Sequence, residues 1–86
     1  MKFRIIYGNQ PKKFLKKQSN ILAKRILDKI DFLIDNPIPQ NSKRIEGRTE
    51  LIFRIRIGDF RILYELDYVL KEIGIIKIDK RSKIYK

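Results

Sequence analysis

Three arginines, Arg54, Arg56 and Arg61, sit in a stretch, residues 51–67, where apolar and polar positions alternate. Successive side chains of an extended chain point to opposite faces, so Leu51, Phe53, Ile55 and Ile57 share one side of a strand and Arg54 and Arg56 the other. Gly58-Asp59 has the make-up of a two-residue hairpin turn, with glycine at the first central position. Such a turn sets Ile57 opposite Phe60 and Arg56 opposite Arg61, and it brings Phe60, Ile62, Tyr64 and Leu66 onto the apolar side. Directly opposed residues have Cβ atoms about 4.5–5.5 Å apart, and like charges there are destabilising by up to about 1 kcal/mol in water. A guanidinium keeps its charge and offers a planar fork to two phosphate oxygens. Three of them on one small sheet face suit a polyanion.

The plainer alternative is a surface network in which these arginines pair with Glu50, Glu65, Asp67 or Asp79. Too few of those acids fall at facing positions to neutralise all three. The whole chain points the same way: 21 Lys and Arg against 10 Asp and Glu give a formal net charge of +11. With 43% of its residues apolar the chain is a folded domain, and nucleic acid is the default partner of a folded domain this basic. Cysteine and histidine are both absent, and the carboxylates lack the clustered spacing of a metal site, so the expected chemistry uses neither metal nor other cofactor. No long apolar run or signal-like segment occurs, which predicts a cytoplasmic protein without membrane association.

The elements that must position the arginines follow from periodicity. Phe3, Ile5 and Tyr7 alternate with Lys2, Arg4 and Ile6 as a first strand, ended by Gly8-Asn9. Pro11 suits the first position of a short helix running to Lys17, with Phe14 and Leu15 as its contacts. Lys12, Lys13, Lys16 and Lys17 form its solvated, nucleic-acid-facing side. Ser19 or Asn20 caps a second helix whose Ala23, Ile26, Leu27, Ile30, Leu33 and Ile34 form one stripe, and Asn36-Pro37 stops it. Residues 37–50 form a polar connection with a short strand at Lys43 to Glu46. After the hairpin, a last strand from Ile73 to Asp79 is expected to set Ile76 and Ile78 on one side and Lys77 and Asp79 on the other, with Arg81 continuing on the side of Lys77. These elements predict one α+β domain, residues 1–86. Its antiparallel-rich, twisted sheet of about four strands carries the two N-terminal helices on one face and leaves the other face open and basic.

Arg44-Ile45-Glu46-Gly47, the run from Phe53 to Glu65, and Lys80-Arg81-Ser82-Lys83-Ile84-Tyr85 together resemble the RelE/ParE toxin superfamily, most closely its RelE branch. The resemblance spans nearly the whole chain. It implies a type II toxin that acts as a ribosome-dependent messenger RNA endoribonuclease and is silenced by a RelB-like antitoxin, through which the pair can bind operator DNA. It also implies site roles. Arg54 and Arg56 match two basic residues of the active sheet, Arg61 an arginine on the scissile phosphate, Arg81 the arginine after the last strand, and Tyr85 a C-terminal tyrosine that stacks on a base or moves a proton. The helical lysines would then touch ribosomal RNA.

Cleavage of RNA by its own 2′-hydroxyl yields a 2′,3′-cyclic phosphate and needs in-line geometry, a base, an acid and stabilisation of a phosphorane. Arginine serves the last need but is a poor general base. Many relatives have lysine at the positions of Arg54 and Arg56, and histidine at that of Lys80, so proton transfer falls to Lys77, Lys80 or Tyr85, with Glu65 behind them. Tyr85 is favoured because neighbouring positive charge lowers a phenol's pKa. Tyr64, by strand parity, belongs to the core. Two other readings stay open: a ParE-like inhibitor of DNA gyrase, and a non-catalytic RNA- or ribosome-binding domain.

Overall fold

The computed structural model describes residues 2–80. Its elements are β1 (Arg4–Tyr7), α1 (Asn9–Lys16), α2 (Asn20–Phe32), β2 (Lys43–Arg44), β3 (Leu51–Ile57), β4 (Phe60–Asp67) and β5 (Glu72–Lys80). The strands form one five-stranded sheet in the order β1-β5-β4-β3-β2. That is one strand more than the four expected, because the two-residue β2 is enough to extend the sheet beyond β3. All pairings are antiparallel except β1 with β5. Neither described helix is long and apolar enough to cross a membrane.

The hairpin has the expected register. Ile57 faces Phe60, Arg56 faces Arg61, and the pairing runs without a slip to Leu51 opposite Leu66. Gly58 supplies the positive φ of 57° that the turn requires and that side-chain-bearing residues rarely adopt. Phe53, Ile55, Ile57, Ile62, Tyr64 and Leu66 are buried against Ile26 and Ile30 of α2 and Leu33 at its C-terminal cap, which recur at helical spacing. Ser19 caps α2 by accepting a hydrogen bond from the Leu22 amide at 3.2 Å. Tyr64 lies wholly in the core, as parity requires, stacked on Phe53 and donating its hydroxyl to the Pro37 carbonyl at 2.9 Å.

Two local expectations are corrected. Helix α1 begins at Asn9 rather than at Pro11, because Gly8 turns the chain directly out of β1 and its amide bonds the Ile75 carbonyl at 3.0 Å. A Cβ on Gly8 would sit 3.1 Å from that same oxygen, so glycine allows the close approach. In β5, Ile76 and Ile78 do not share an environment: Ile78 is fully buried whereas Ile76 is 42% exposed. The register explains this, since Leu63 faces Lys77 while its neighbour Tyr64 faces Ile75, leaving Ile76 as the extra residue of a β-bulge.

Strand β1 ends level with Ile75, so the edge of β5 beyond it would lack a partner. Gln10, in the first turn of α1, takes the place of a strand there. Its amide nitrogen donates to the Ile78 carbonyl at 2.7 Å and its amide oxygen accepts from the Ile78 N–H at 2.9 Å. Helix and strand are thereby clamped where β5 approaches the hairpin tip, where Phe14 of α1 also meets Phe60 edge-on.

Two outcomes follow for stability. Gln10→Ala leaves both Ile78 backbone groups without that partner and is expected to cost about 1–3 kcal/mol in urea denaturation; an unchanged midpoint would mean that water serves the strand edge equally well. Burial, opposed by the Ser42 hydroxyl and reinforced by Tyr68, pushes the Tyr64 phenol up to about 12 from 10.0. The folded state thus favours the protonated phenol, and this contribution is complete below pH 10 and lost as the pH rises towards 12. Tyr64→Phe is expected to be less stable at pH 9 and to lose stability less steeply above pH 10; parallel curves for the two proteins would refute the assignment.

Candidate functional site

The sheet face away from the helices is polarised in charge. Alternation and register place Asp67, Glu72 and Arg4 together in neighbouring strands at one end, and Arg4 pairs with Glu72 there. Towards the hairpin tip, Lys77 faces Leu63, Leu63 faces Arg54 and Arg54 faces Lys43, so these four side chains form a row across β5, β4, β3 and β2. The next row is Asp79, Arg61 and Arg56. Neighbouring strands lie about 4.7–4.9 Å apart, which holds Arg54, Arg56, Arg61 and Lys43 within one nucleotide's reach.

These cations line a cleft of about 570 Å³ together with Asn41, Ile55 and Gly58. Arg61 is only 7% exposed and is the one charged side chain buried among the described residues. Its Nη1 donates to the Phe60 carbonyl at 3.3 Å, and it makes no ion pair with a described residue, although Asp79 stands opposite it in the register. A largely buried cation that forms no ion pair is placed to accept an anion from outside the fold. Arg56 is exposed, and its Nε donates to the Gly58 carbonyl at 3.4 Å. The surface network of ion pairs weighed above does not form around Arg56 and Arg61 among the described residues.

Arg54, Arg56 and Arg61 are thus brought together on one cleft. Lys77 shares their face but stands two strands from Arg54 and does not line the cleft. Lys80 faces Phe60 and by alternation shares the side of Ile78, so it lies at the rim of the helix side rather than among the arginines. Lys12, Lys13, Lys16 and Lys17 are exposed along and just beyond α1, outside the cleft. Arg81 and Tyr85 fall outside the described residues.

Asn41 and Lys43 are cleft residues that periodicity did not single out. The sequence does suggest a short strand at Lys43, but only the antiparallel register with β3 puts that lysine beside Arg54. Arg56 also lines an adjoining groove of about 500 Å³ with Arg25, Asp28, Lys29 and Phe32 of α2, where three cations outnumber the single carboxylate.

Comparison with known proteins agrees with this architecture. Residues 3–85 match the family described as the ParE toxin of the type II toxin–antitoxin system parDE. Over 89 residues, covering 100% of this chain and 98% of its relative, the sequence is 35% identical to a protein of Methanocaldococcus jannaschii named as a candidate toxin, RelE1. The archaeal RelE–RelB complex from Pyrococcus horikoshii OT3 contains a chain of the same fold, with a TM-score of 0.84, 28% identity, and coverage of 96% of this chain and 99% of that one. The toxin–antitoxin complex RelBE2 of Mycobacterium tuberculosis shares the fold at 19% identity, with a TM-score of 0.78 and coverage of 94% and 100%. Matched along almost its whole length, this chain belongs to the RelE/ParE superfamily of type II toxins, in its RelE-like branch.

Proposed function

We propose that this chain cleaves messenger RNA on the ribosome, using the 2′-hydroxyl of the substrate as nucleophile and leaving a 2′,3′-cyclic phosphate. The observation that carries the reading is Arg61, a buried guanidinium without an ion pair among the described residues, in a cleft it shares with Arg54 and Arg56. A phosphodiester seated there supplies the missing negative charge. As the phosphorane forms, its extra charge strengthens every contact with cations already in place, which is how a preorganised site lowers a barrier. In this reading Arg61 grips the scissile phosphate and Arg54 and Arg56 hold it and its neighbour. Arg81 and Tyr85 complete the site from the C-terminal segment, Tyr85 by stacking on a base and sharing its phenolic proton. Lys77, on the same face but outside the cleft, stands as a further proton-transfer candidate, Lys80 on the helix side does not, and Lys12, Lys13, Lys16 and Lys17 contact ribosomal RNA.

The partner that restrains such a toxin is a RelB-like antitoxin, since the related archaeal toxin of known structure is in complex with RelB. A chain of net charge +11 is best met by acidic side chains on amphipathic helices, with electrostatic attraction speeding encounter and apolar contact slowing release. The paired proteins would bind operator DNA through the antitoxin. The site of action is the cytoplasm, where message and ribosome are found.

Programmed ribosomes test the reading directly. Wild-type protein is expected to cleave the bound message and leave cyclic phosphate ends; intact message, with stalled gyrase–DNA complexes instead, would establish the gyrase-inhibitor reading that the match to the ParE family favours. Arg61→Met keeps the aliphatic stem packed and removes the charge, so cleavage should slow by about 100-fold while the urea midpoint holds or rises. Loss of folding with unchanged activity per folded molecule would make Arg61 structural. Tyr85→Phe keeps the ring and removes the hydroxyl, and is expected to lower the single-turnover rate more than ribosome affinity. Tyr85→Ala should impair both; equal rates for wild type and Tyr85→Phe would remove the phenol from the chemistry.

A further inference from the structure

The nuclease reading does not assign which group protonates the 5′-oxygen as it departs, and the three arginines of the cleft are poor donors because a guanidinium holds its proton too tightly. One other cation among the described residues lines the cleft. Lys43, on β2, stands directly opposite Arg54 and shares the walls of the cavity with Arg54, Arg56 and Arg61. We propose that Lys43 is the general acid that protonates the leaving 5′-oxygen. The inference rests on the nuclease reading and adds a residue to its site.

The placement fits an in-line displacement. Arg61 lies on β4 and Lys43 on β2, the two strands that flank β3, so the two side chains approach from opposite sides of Arg54 across about 10 Å, two strand spacings. A phosphodiester held over β3 by Arg54 and Arg61 can present one apical oxygen towards β2. The 2′-oxygen attacks phosphorus and its bond to phosphorus forms, with the hydroxyl proton passing to water. The bond from phosphorus to the 5′-oxygen breaks, and its electron pair leaves with that oxygen. The oxygen then takes a proton from the Lys43 ammonium, which becomes a neutral amine and is recharged from solvent. A lysine acid donates from its ammonium form, whereas a lysine base must first lose its proton.

Strand β2 is the edge of the sheet, and Lys43 is exposed on it. Because Lys43 is exposed on an edge strand, replacing it with arginine preserves the charge and perturbs the fold little.

The test compares wild type, Lys43→Arg and Lys43→Gln on ribosome-bound messages that carry either oxygen or sulfur at the 5′-bridging position of the mapped cleavage site. Sulfur leaves as a thiolate and needs no proton. Both variants are expected to slow single-turnover cleavage of the oxygen message by about 100-fold. On the sulfur message they should match wild type within about threefold, which also shows that the site is folded and assembled. Equal slowing on both messages would make Lys43 a phosphate contact only, and undiminished cleavage of the oxygen message by Lys43→Arg would remove it from proton transfer; either result overturns the proposal while leaving the nuclease reading intact. If wild type cleaves neither message, the nuclease reading falls and the role of Lys43 falls with it.

Discussion

The pairing of β3 with β4 across the Gly58-Asp59 turn is the constraint on which the other features depend. A two-residue turn leaves no slack, and side chains alternate with a period of two, so one choice of register assigns every side chain of the hairpin to a face. A slip of one residue would send Arg54 and Arg56 into the core and Phe53, Ile55 and Ile57 into water. Full burial of each such apolar side chain is worth about 1.5–3 kcal/mol, whereas directly opposed like charges on a sheet cost about 1 kcal/mol or less. The core therefore decides the register, and Arg56 and Arg61 are held face to face as a consequence. Preorganised cations of this kind arise from packing on the reverse side of the same strands.

Strand β5 joins the hairpin to the rest of the molecule, and it does so with one irregularity. The extra residue at Ile76 changes the parity of the strand partway along, so that Ile73 and Ile75 on one side of the bulge and Ile78 on the other all reach the core. Without it, continued alternation would carry Ile78 to the open face and Lys77 to the helices. Gln10 covers the part of the β5 edge that β1 is too short to reach, and Phe14 against Phe60 secures the same helix to the hairpin tip. The end of the sheet that bears the cations is thus braced by α1 from behind.

Charge along the open face is sorted by position. Arg4 and Glu72 satisfy one another near Asp67, while Arg56 and Arg61 at the opposite end form no ion pair with a described residue. Basic side chains on α2 extend this end around the hairpin tip, with Arg56 common to both grooves. Phosphates and acidic protein segments are attracted to the same region, so a substrate and an inhibitor of opposite charge would compete for it.

Much of this was legible in the chain itself, because period-two alternation with a central Gly-Asp turn leaves one sensible hairpin, and Ile26, Ile30 and Leu33 at helical spacing leave one buried face for α2. Those patterns placed Arg54, Arg56 and Arg61 together and Tyr64 in the core before any coordinates. They could not reveal the bulge at Ile76, since an inserted residue interrupts alternation without leaving a local mark in a run of isoleucines and lysines. Nor could they place Lys43, which lies in a polar connection with no periodicity and gains its neighbours only from a strand that follows later in the chain. The parallel pairing of β1 with β5, and the burial of Arg61 without an ion pair among the described residues, are likewise properties of contacts between distant segments. Local pattern determines which face a side chain takes along its own strand; which side chains meet across strands is decided by registers that exist only in the folded sheet.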